Sequence, residues 1–248
     1  MRSRLLRLLF LSSVFNSIVV KKLVVLTGAG ISEESGIPTF RDSGGLWEGH
    51  DVNAVATPEG WAKNSRLVLD FYNQRRKRAL EVEPNRGHYL IAEFQNEFDV
   101  TVVTQNVDNL HERAGSKHVV HLHGNLFESR SSIDESLVYP IKGWELKLGE
   151  LCERGSQLRP NIVWFGELVY MMEEAARQAA QADIFIVVGT SLQVYPAAGL
   201  VNYAPFDAPK FVVDPKLPEV GHIPMVQMFA EKASSGLEKV KVDLQRLL

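Results

Sequence analysis

Leu23-Val24-Val25-Leu26-Thr27-Gly28-Ala29-Gly30-Ile31-Ser32 is the stretch from which the fold can be read. Four apolar residues in a row, with no polar alternation, suit a strand buried on both faces. Glycines directly after such a strand let backbone N–H groups at a helix start approach a pyrophosphate. The match to a dinucleotide fingerprint is incomplete. Glu33 stands where the third glycine of G-x-G-x-x-G would fall, and no obvious acidic residue ends a second strand about twenty residues on. Taken alone, the stretch reads equally as a tight strand-to-helix turn.

The pattern repeats outward from that stretch. Asp99–Val103, His118–Leu122, Ile162–Trp164, Ile184–Val188 and Phe211–Val213 are further short strand-like runs. Helix-like segments lie between them at Asn64–Leu80, Asn85–Phe98, Glu173–Ala182 and Gly199–Tyr203. Strands alternating with helices imply an α/β fold, a parallel sheet with helices on both faces. Asn125–Pro160 breaks the alternation and reads as a small inserted domain, at about 125–160. A chain of 248 residues has room for one such domain, taken here as 21–248, and the insertion.

Composition narrows the classes. Apolar residues at 45% and charged residues at 23% are those of an ordinary soluble protein. A net charge of −3 gives no footprint of a nucleic-acid binder, and no stable membrane partner is expected. One cysteine, Cys152, can form neither an internal disulfide nor a multi-cysteine metal site, which suits a reducing, cytoplasmic setting. Residues 1–20 differ from the rest, with three arginines in Met1–Arg7 and then a mostly apolar Leu8–Val20. They read as a leader-like segment or as an extension from a mis-set start. The length suits the apolar core of a leader, but no small-x-small site precedes Lys21.

Polar clusters follow the strand-like runs. They are Pro38-Thr39-Phe40-Arg41-Asp42, Gly44-Gly45-Leu46-Trp47, Thr104-Gln105-Asn106-Val107-Asp108-Asn109-Leu110-His111, His121-Leu122-His123-Gly124, Val163-Trp164-Phe165-Gly166-Glu167 and Gly189-Thr190-Ser191. In an open parallel sheet the carboxyl ends of the strands line one crevice. Gly28, Gln105, Asn106, Asp108, His123 and Ser191 can therefore meet on one ligand.

These blocks, in this order, resemble the sirtuin family from about Lys22 to Leu248, and most closely its bacterial acidic-acyl (desuccinylase-like) subclass. The resemblance implies a Rossmann-like domain and a small domain, with NAD as co-substrate and an acyl-lysine protein or peptide meeting in the cleft. It implies an NAD-dependent protein-lysine deacylase. The acyl oxygen displaces nicotinamide from the ribose, a base then activates a ribose hydroxyl, and free lysine and O-acyl-ADP-ribose leave. The base needs a pKa near neutrality, which suits histidine, and His123 falls on the matching position. His121 and His111 have no such support, and His121 reads as structural. Asn106 and Asp108 resemble the residues that hold the nicotinamide ribose and amide. The resemblance further implies cofactor contacts from Gly28, Ala29, Gly30, Ser32, Thr39, Phe40, Arg41, Trp47, Gln105, Val107, Gly189, Thr190, Ser191, Asp214 and Ala233. Asp214 stands where the family often has asparagine. A carboxylate there would accept a ribose hydroxyl and repel a 2′-phosphate, so NAD is expected rather than NADP. Val163, Phe165, Gly166 and Glu167 are the implied peptide-binding strip.

Two features go further. Tyr72 and Arg75 lie three apart on one helix face. They match the tyrosine–arginine pair that recognises acidic acyl groups in that subclass, and Ala56 matches a small residue that leaves the acyl pocket roomy. Arginine offers a planar fork of donors to a succinyl or malonyl carboxylate. The rival reading makes Arg75, Arg76, Lys77 and Arg78 a solvated basic helix end. Where many sirtuins carry four zinc cysteines, this chain has Ser131, Asp134, Leu151 and Arg154, with Cys152 out of register. Those residues cannot replace thiolates, so no zinc is expected. Leu137, Val138, Tyr139, Ile141, Trp144, Leu146, Leu148 and Leu151 are expected to pack the insertion instead. Three other classes stand beside the deacylase: an NAD-binding or sensing module, a mono-ADP-ribosyltransferase and a hydride-transferring dehydrogenase. The incomplete glycine pattern speaks against the last.

Overall fold

A computed structural model describes residues 20–39, 46–47, 49–220 and 223–248; the N-terminal stretch, Phe40, Arg41 and the Trp47 side chain lie outside the described residues. In chain order the elements are β1 (Lys22–Thr27), β2 (Leu46–Trp47), β3 (His50–Asp51), α1 (Val52–Val55), α2 (Pro58–Lys63), α3 (Ser65–Glu81), α4 (Arg86–Glu93), β4 (Asp99–Thr104), α5 (Leu110–Arg113), β5 (Val119–His121), β6 (Gly124–Ser131), β7 (Val138–Pro140), β8 (Leu158–Ile162), α6 (Met172–Ala180), β9 (Ile184–Val188), β10 (Lys210–Val213), β11 (Val226–Phe229) and α7 (Ala233–Gln245).

Among the described residues, six strands form one parallel sheet in the order β11-β10-β9-β1-β4-β5. The unbroken apolar run of β1 splits by alternation. Leu23 and Val25 pack on one face with Leu90 and Ile91 of α4 and Leu237 and Val240 of α7. Val24 and Leu26 pack on the other with Ala175 and Ala179 of α6 and Leu200 and Val201 of a 3-10 segment. Double-sided burial is why the run shows no polar period. The chain leaves β1 for β4 and β5 on one side and later returns to β9, β10 and β11 on the other. The order therefore reverses between β1 and β9, where a ligand crevice opens at the strand ends.

A third apolar cluster joins α1 and α3 to the small antiparallel sheet β7-β6-β8, through Val55, Ala56, Val68, Phe71, Tyr72, Leu126, Ile162 and Trp164. Arg76 of α3 is fully buried in this joint, donating to the carbonyls of Leu126 (2.6 Å) and Trp144 (2.7 Å) and to Asn73. Burial lowers its pKa to about 10.

Several expectations change. Ile162–Trp164 is not a strand of the main sheet: β8 ends at Ile162 and pairs only within the small sheet. The long helix expected at Asn85–Phe98 is shorter, because Asn85 caps α4 from outside and a 3-10 turn follows at Phe94–Asn96. The strand β11 and the helix α7 were not foreseen, since Val226-Gln227-Met228-Phe229 carries a polar interruption. In the insertion Leu146 is buried, and Leu137, Tyr139 and Ile141 pack beside it. Val138, Trp144, Leu148 and Leu151 are exposed instead, because a three-stranded sheet has one face to bury. Ser131 contacts the Cys152 thiol (3.3 Å) and Asp134 pairs with Arg154 (2.9 Å), so polar contacts tie the segment together as well.

Between α4 and α5 two buried histidines face each other. The His88 and His111 rings are 4.9 Å apart, and the His111 Nε2 lies 3.0 Å from the Thr27 hydroxyl. Burial pushes His88 down to about 4 and His111 well below the ordinary histidine range. An unfolded chain therefore takes up these protons first as the pH falls, and stability drops through the window from about 6.5 to 4. His88 alone should remove about 2 kcal/mol between pH ~7 and pH ~5. Urea midpoints at both pH values check this: His88→Gln should flatten the difference, and an equally steep loss in that variant would refute the assignment.

Candidate active site

The turn after β1 meets the turn after β9. Gly30 N–H donates to the Gly189 carbonyl (2.9 Å), and Gly28 N–H to Val188 (3.0 Å). A Cβ on Gly30 would sit 2.7 Å from the Gly189 Cα, and Gly189 itself has φ 64°, so both positions require glycine. The incomplete fingerprint thus serves a close backbone crossing at the switch point.

A cavity of about 320 Å³ opens there, inside the size range of small-molecule sites. Of the expected residues, Gly28, Ala29, Gly30, Ser32, Thr39, Ala56, Tyr72, Arg75, Gln105, Asn106, Val107, Asp108, His123, Val163, Phe165, Gly166, Glu167, Gly189, Thr190 and Ser191 all line it. Asp214 and Ala233 do not. Asp214 follows Val213, whose carbonyl accepts from Gly189 (2.9 Å), and Ala233 opens α7 within the core cluster beneath α4. Val194, Tyr195 and Pro196 also line the cavity and were missed. They lie on the same turn after β9 as Gly189–Ser191, a few residues further on, and that position was the available signal.

The turn after β4 carries the polar centre. Asn106 is buried, and its amide donates to the Gly28 carbonyl and the Ser32 hydroxyl, each at 3.2 Å. Ser32 in turn donates to Asp108 (3.1 Å), whose other oxygen accepts from Leu110 N–H (3.1 Å). Burial raises the Asp108 pKa against those two donors. Gln105 donates to Thr190 (3.1 Å), bridging the strand ends across the crevice.

His123 follows β5. Its Nδ1 lies 3.0 Å from the Gln105 carbonyl, which only accepts, so Nδ1 carries the proton and the lone pair sits on Nε2. Burial lowers its pKa, partly offset by that carbonyl. The result is a neutral imidazole on a cavity wall. Gly124 next to it must be glycine, because at φ 83° a Cβ would meet the Asn161 carbonyl at 2.0 Å.

The small sheet supplies the opposite wall. Val163 N–H donates to the His123 carbonyl (2.9 Å) and Phe165 N–H to that of Ala56 (3.0 Å). Trp164 is buried and donates its indole N–H to the Tyr72 hydroxyl (3.0 Å). Glu167 reaches the cavity wall, but its carboxylate is committed: it accepts from Arg130 (3.1 Å), Arg159 (2.6 Å) and Trp164 N–H (2.8 Å). Burial opposes its charge, and these donors overcome it and lower the pKa. Tyr72 is fully buried, and burial pushes its hydroxyl pKa up, so it stays a protonated donor. The helix end is not uniformly solvated: Arg76 is buried, Arg75 and Arg78 line the cavity, and exposed Lys77 lies over the Trp144 ring. Among the described residues no cluster of three or more His, Cys, Asp or Glu could hold a metal ion, and no helix is long and apolar enough to cross a membrane.

A strand-to-helix turn at the switch point, amide and carboxylate groups from the β4 turn, and hydroxyls of Thr190 and Ser191 fit a dinucleotide. The model of the Sir2 family matches residues 28–196. The chain is 53% identical over 227 residues to an NAD-dependent protein deacylase of Bacteroides thetaiotaomicron, covering 90% of this chain and 97% of that one. It is also 53% identical over 222 residues to an NAD-dependent protein deacylase of Helicobacter pylori, covering 88% and 95%. A solved Sir2 homolog–NAD complex superposes with a TM-score of 0.81 at 34% identity, over 92% of this chain and 91% of that one. The chain belongs to the Sir2 family.

Proposed function

We propose that this chain is an NAD-dependent protein-lysine deacylase that removes acidic acyl groups, succinyl and malonyl, as well as acetyl. The observation that carries the reading is the shared cavity, in which a neutral His123 faces both the dinucleotide turn and the peptide strip Val163–Gly166. NAD, when bound, supplies the ribose carbon that accepts the acyl oxygen, with nicotinamide as leaving group. Gly28, Ala29, Gly30, Ser32, Thr39, Gln105, Val107, Gly189, Thr190 and Ser191 would hold it, whereas Asp214 and Ala233 stand off the cavity. Asn106 and Asp108 would orient its nicotinamide ribose. His123 Nε2 takes the proton from a ribose hydroxyl once acyl transfer begins. Phe165, Gly166 and the Glu167-braced wall exclude water along the acyl-lysine chain.

Tyr72 and Arg75 close the acyl end of the cavity, and buried Ala56 leaves room beside them. The Trp164 indole N–H fixes the Tyr72 phenol at that end of the cavity wall. We assign the folded unit to residues 21–248 with a small domain at about 125–160, place the protein in the cytoplasm, and expect neither zinc nor a nucleic-acid or membrane partner. The ion pair Arg154–Asp134, at two of the positions matched to the family's zinc cysteines, supports the expected lack of zinc.

Matched rates on one peptide, acetylated and succinylated, test the reading. Arg75→Ala should cut succinyl turnover about 10- to 100-fold, the loss of one charge-assisted hydrogen bond, and spare acetyl turnover. Equal losses on both peptides would remove the acidic-acyl assignment. No NAD-dependent product from either would remove the deacylase.

A further inference from the structure

His121 and His123 bracket Leu122 and turn to the same side. Each bonds a successive carbonyl of the β4 turn: His123 Nδ1 that of Gln105 (3.0 Å), His121 Nδ1 that of Asn106 (2.9 Å). The difference lies at the second nitrogen. His121 Nε2 is 2.7 Å from a carboxylate oxygen of Glu112, and its side chain is only 12% exposed. A carbonyl and a carboxylate both only accept. A neutral imidazole would press a lone pair against one of them, so the contacts demand a proton on each nitrogen.

We propose that His121 is a positioning residue: held as an imidazolium by Glu112, it clamps the Asn106 carbonyl and so fixes the turn that presents Asn106 and Asp108 to the cofactor. The inference rests on the cofactor-holding role assigned to those two residues.

Other bonds pin the same turn. Asn106 N–H donates to the Thr104 hydroxyl (3.0 Å), and the Val107 carbonyl accepts from Leu126 N–H (2.8 Å). His121 supplies the charged, titratable member of the set. The groups facing it are Glu112 and His111 of α5 and Asp108 of the turn. Burial opposes its charge, but Glu112, with the Asn106 carbonyl and Asp108, outweighs burial and holds the pKa above the ordinary histidine value. The same cation helps keep His111 neutral, after burial and His88. The clamp therefore weakens on the alkaline side, whereas protonation of His123 limits activity on the acid side.

Two measurements test it. Imidazole nitrogen shifts of the ligand-free protein near neutral pH should report both His121 nitrogens protonated, and Glu112→Gln should lower that titration by about one unit or more. Calorimetry with NAD should show His121→Gln binding about tenfold more weakly, as expected for one charged hydrogen bond, with the peptide KM unmoved. A neutral His121 in the folded wild type overturns the proposal, as does His121→Gln binding NAD within about twofold of wild type. Asn106→Ala in parallel separates the two readings. If it leaves NAD affinity intact, the cofactor assignment fails; if it weakens binding while His121→Gln does not, only the clamp fails. Should His121→Gln not fold, the wild-type shifts and Glu112→Gln, whose carboxylate reaches solvent, still decide.

Discussion

His123→Ala should lower turnover of an acyl-lysine peptide by roughly 10²- to 10⁴-fold, the usual contribution of a positioned general base. The fold should survive, because among the described residues the His123 side chain bonds the Gln105 carbonyl alone, and it sits on a cavity wall rather than in the core. NAD affinity should change little, since its held groups are assigned to other residues. Wild-type kcat/KM should rise with pH through a midpoint below the ordinary histidine value of about 6.5, because burial favours the neutral form. That acid limb should vanish in the variant. A His123→Ala protein with near wild-type turnover, or a rate that falls as pH rises through that window, would assign the base elsewhere.

Glu167→Ala should destabilise the protein by about 3–5 kcal/mol, the range for breaking a buried ion pair from one side. Arg130 and Arg159 are about as buried as core residues, with side-chain exposures of 6% and 9%. In the variant Arg159 loses its carboxylate, Arg130 keeps only Glu135 at 3.8 Å, and Trp164 N–H loses its acceptor. The Arg159 guanidinium also stacks on the Trp164 ring at 3.2 Å, so that ring loses its brace. Thermal unfolding should show a drop of about 6–20 °C for a chain of this size. Activity should fall through KM for peptide before kcat, since Trp164 and Phe165 shape that wall. A midpoint within about 2 °C of wild type would show that the triad breaks even with its own desolvation.

Much of this was legible because local chemistry and global position agree in an α/β sheet. Polar residues that end a buried parallel strand can face only the crevice. Gln105, Asn106, Asp108, His123, Thr190 and Ser191 therefore converge on the cavity although they lie far apart in the chain. The same reasoning failed for Ile162–Trp164. Its apolar pattern is that of a strand, and pattern does not say which sheet a strand joins. For Glu167 it did not say what the carboxylate binds. A carboxylate in a conspicuous cluster looks like a substrate contact until Arg130 and Arg159, 37 and 8 residues away, are seen to claim it.

The sequence by itself determined the parallel sheet, the strand-to-helix turn at Gly28–Gly30 and the family, since each depends on residue type and order along the chain. Only the tertiary structure decided charge states. His121 and His123 are two residues apart and chemically identical. One meets a second acceptor in Glu112 and becomes a cation, while the other keeps a lone pair for the cavity. Likewise Arg75 and Arg76 are neighbours, yet helix geometry points one into the cavity and the other into the core, where burial weakens its hold on the proton. Protonation depends on what lies within about 3 Å and on how much water is excluded, and neither quantity is written in sequence order.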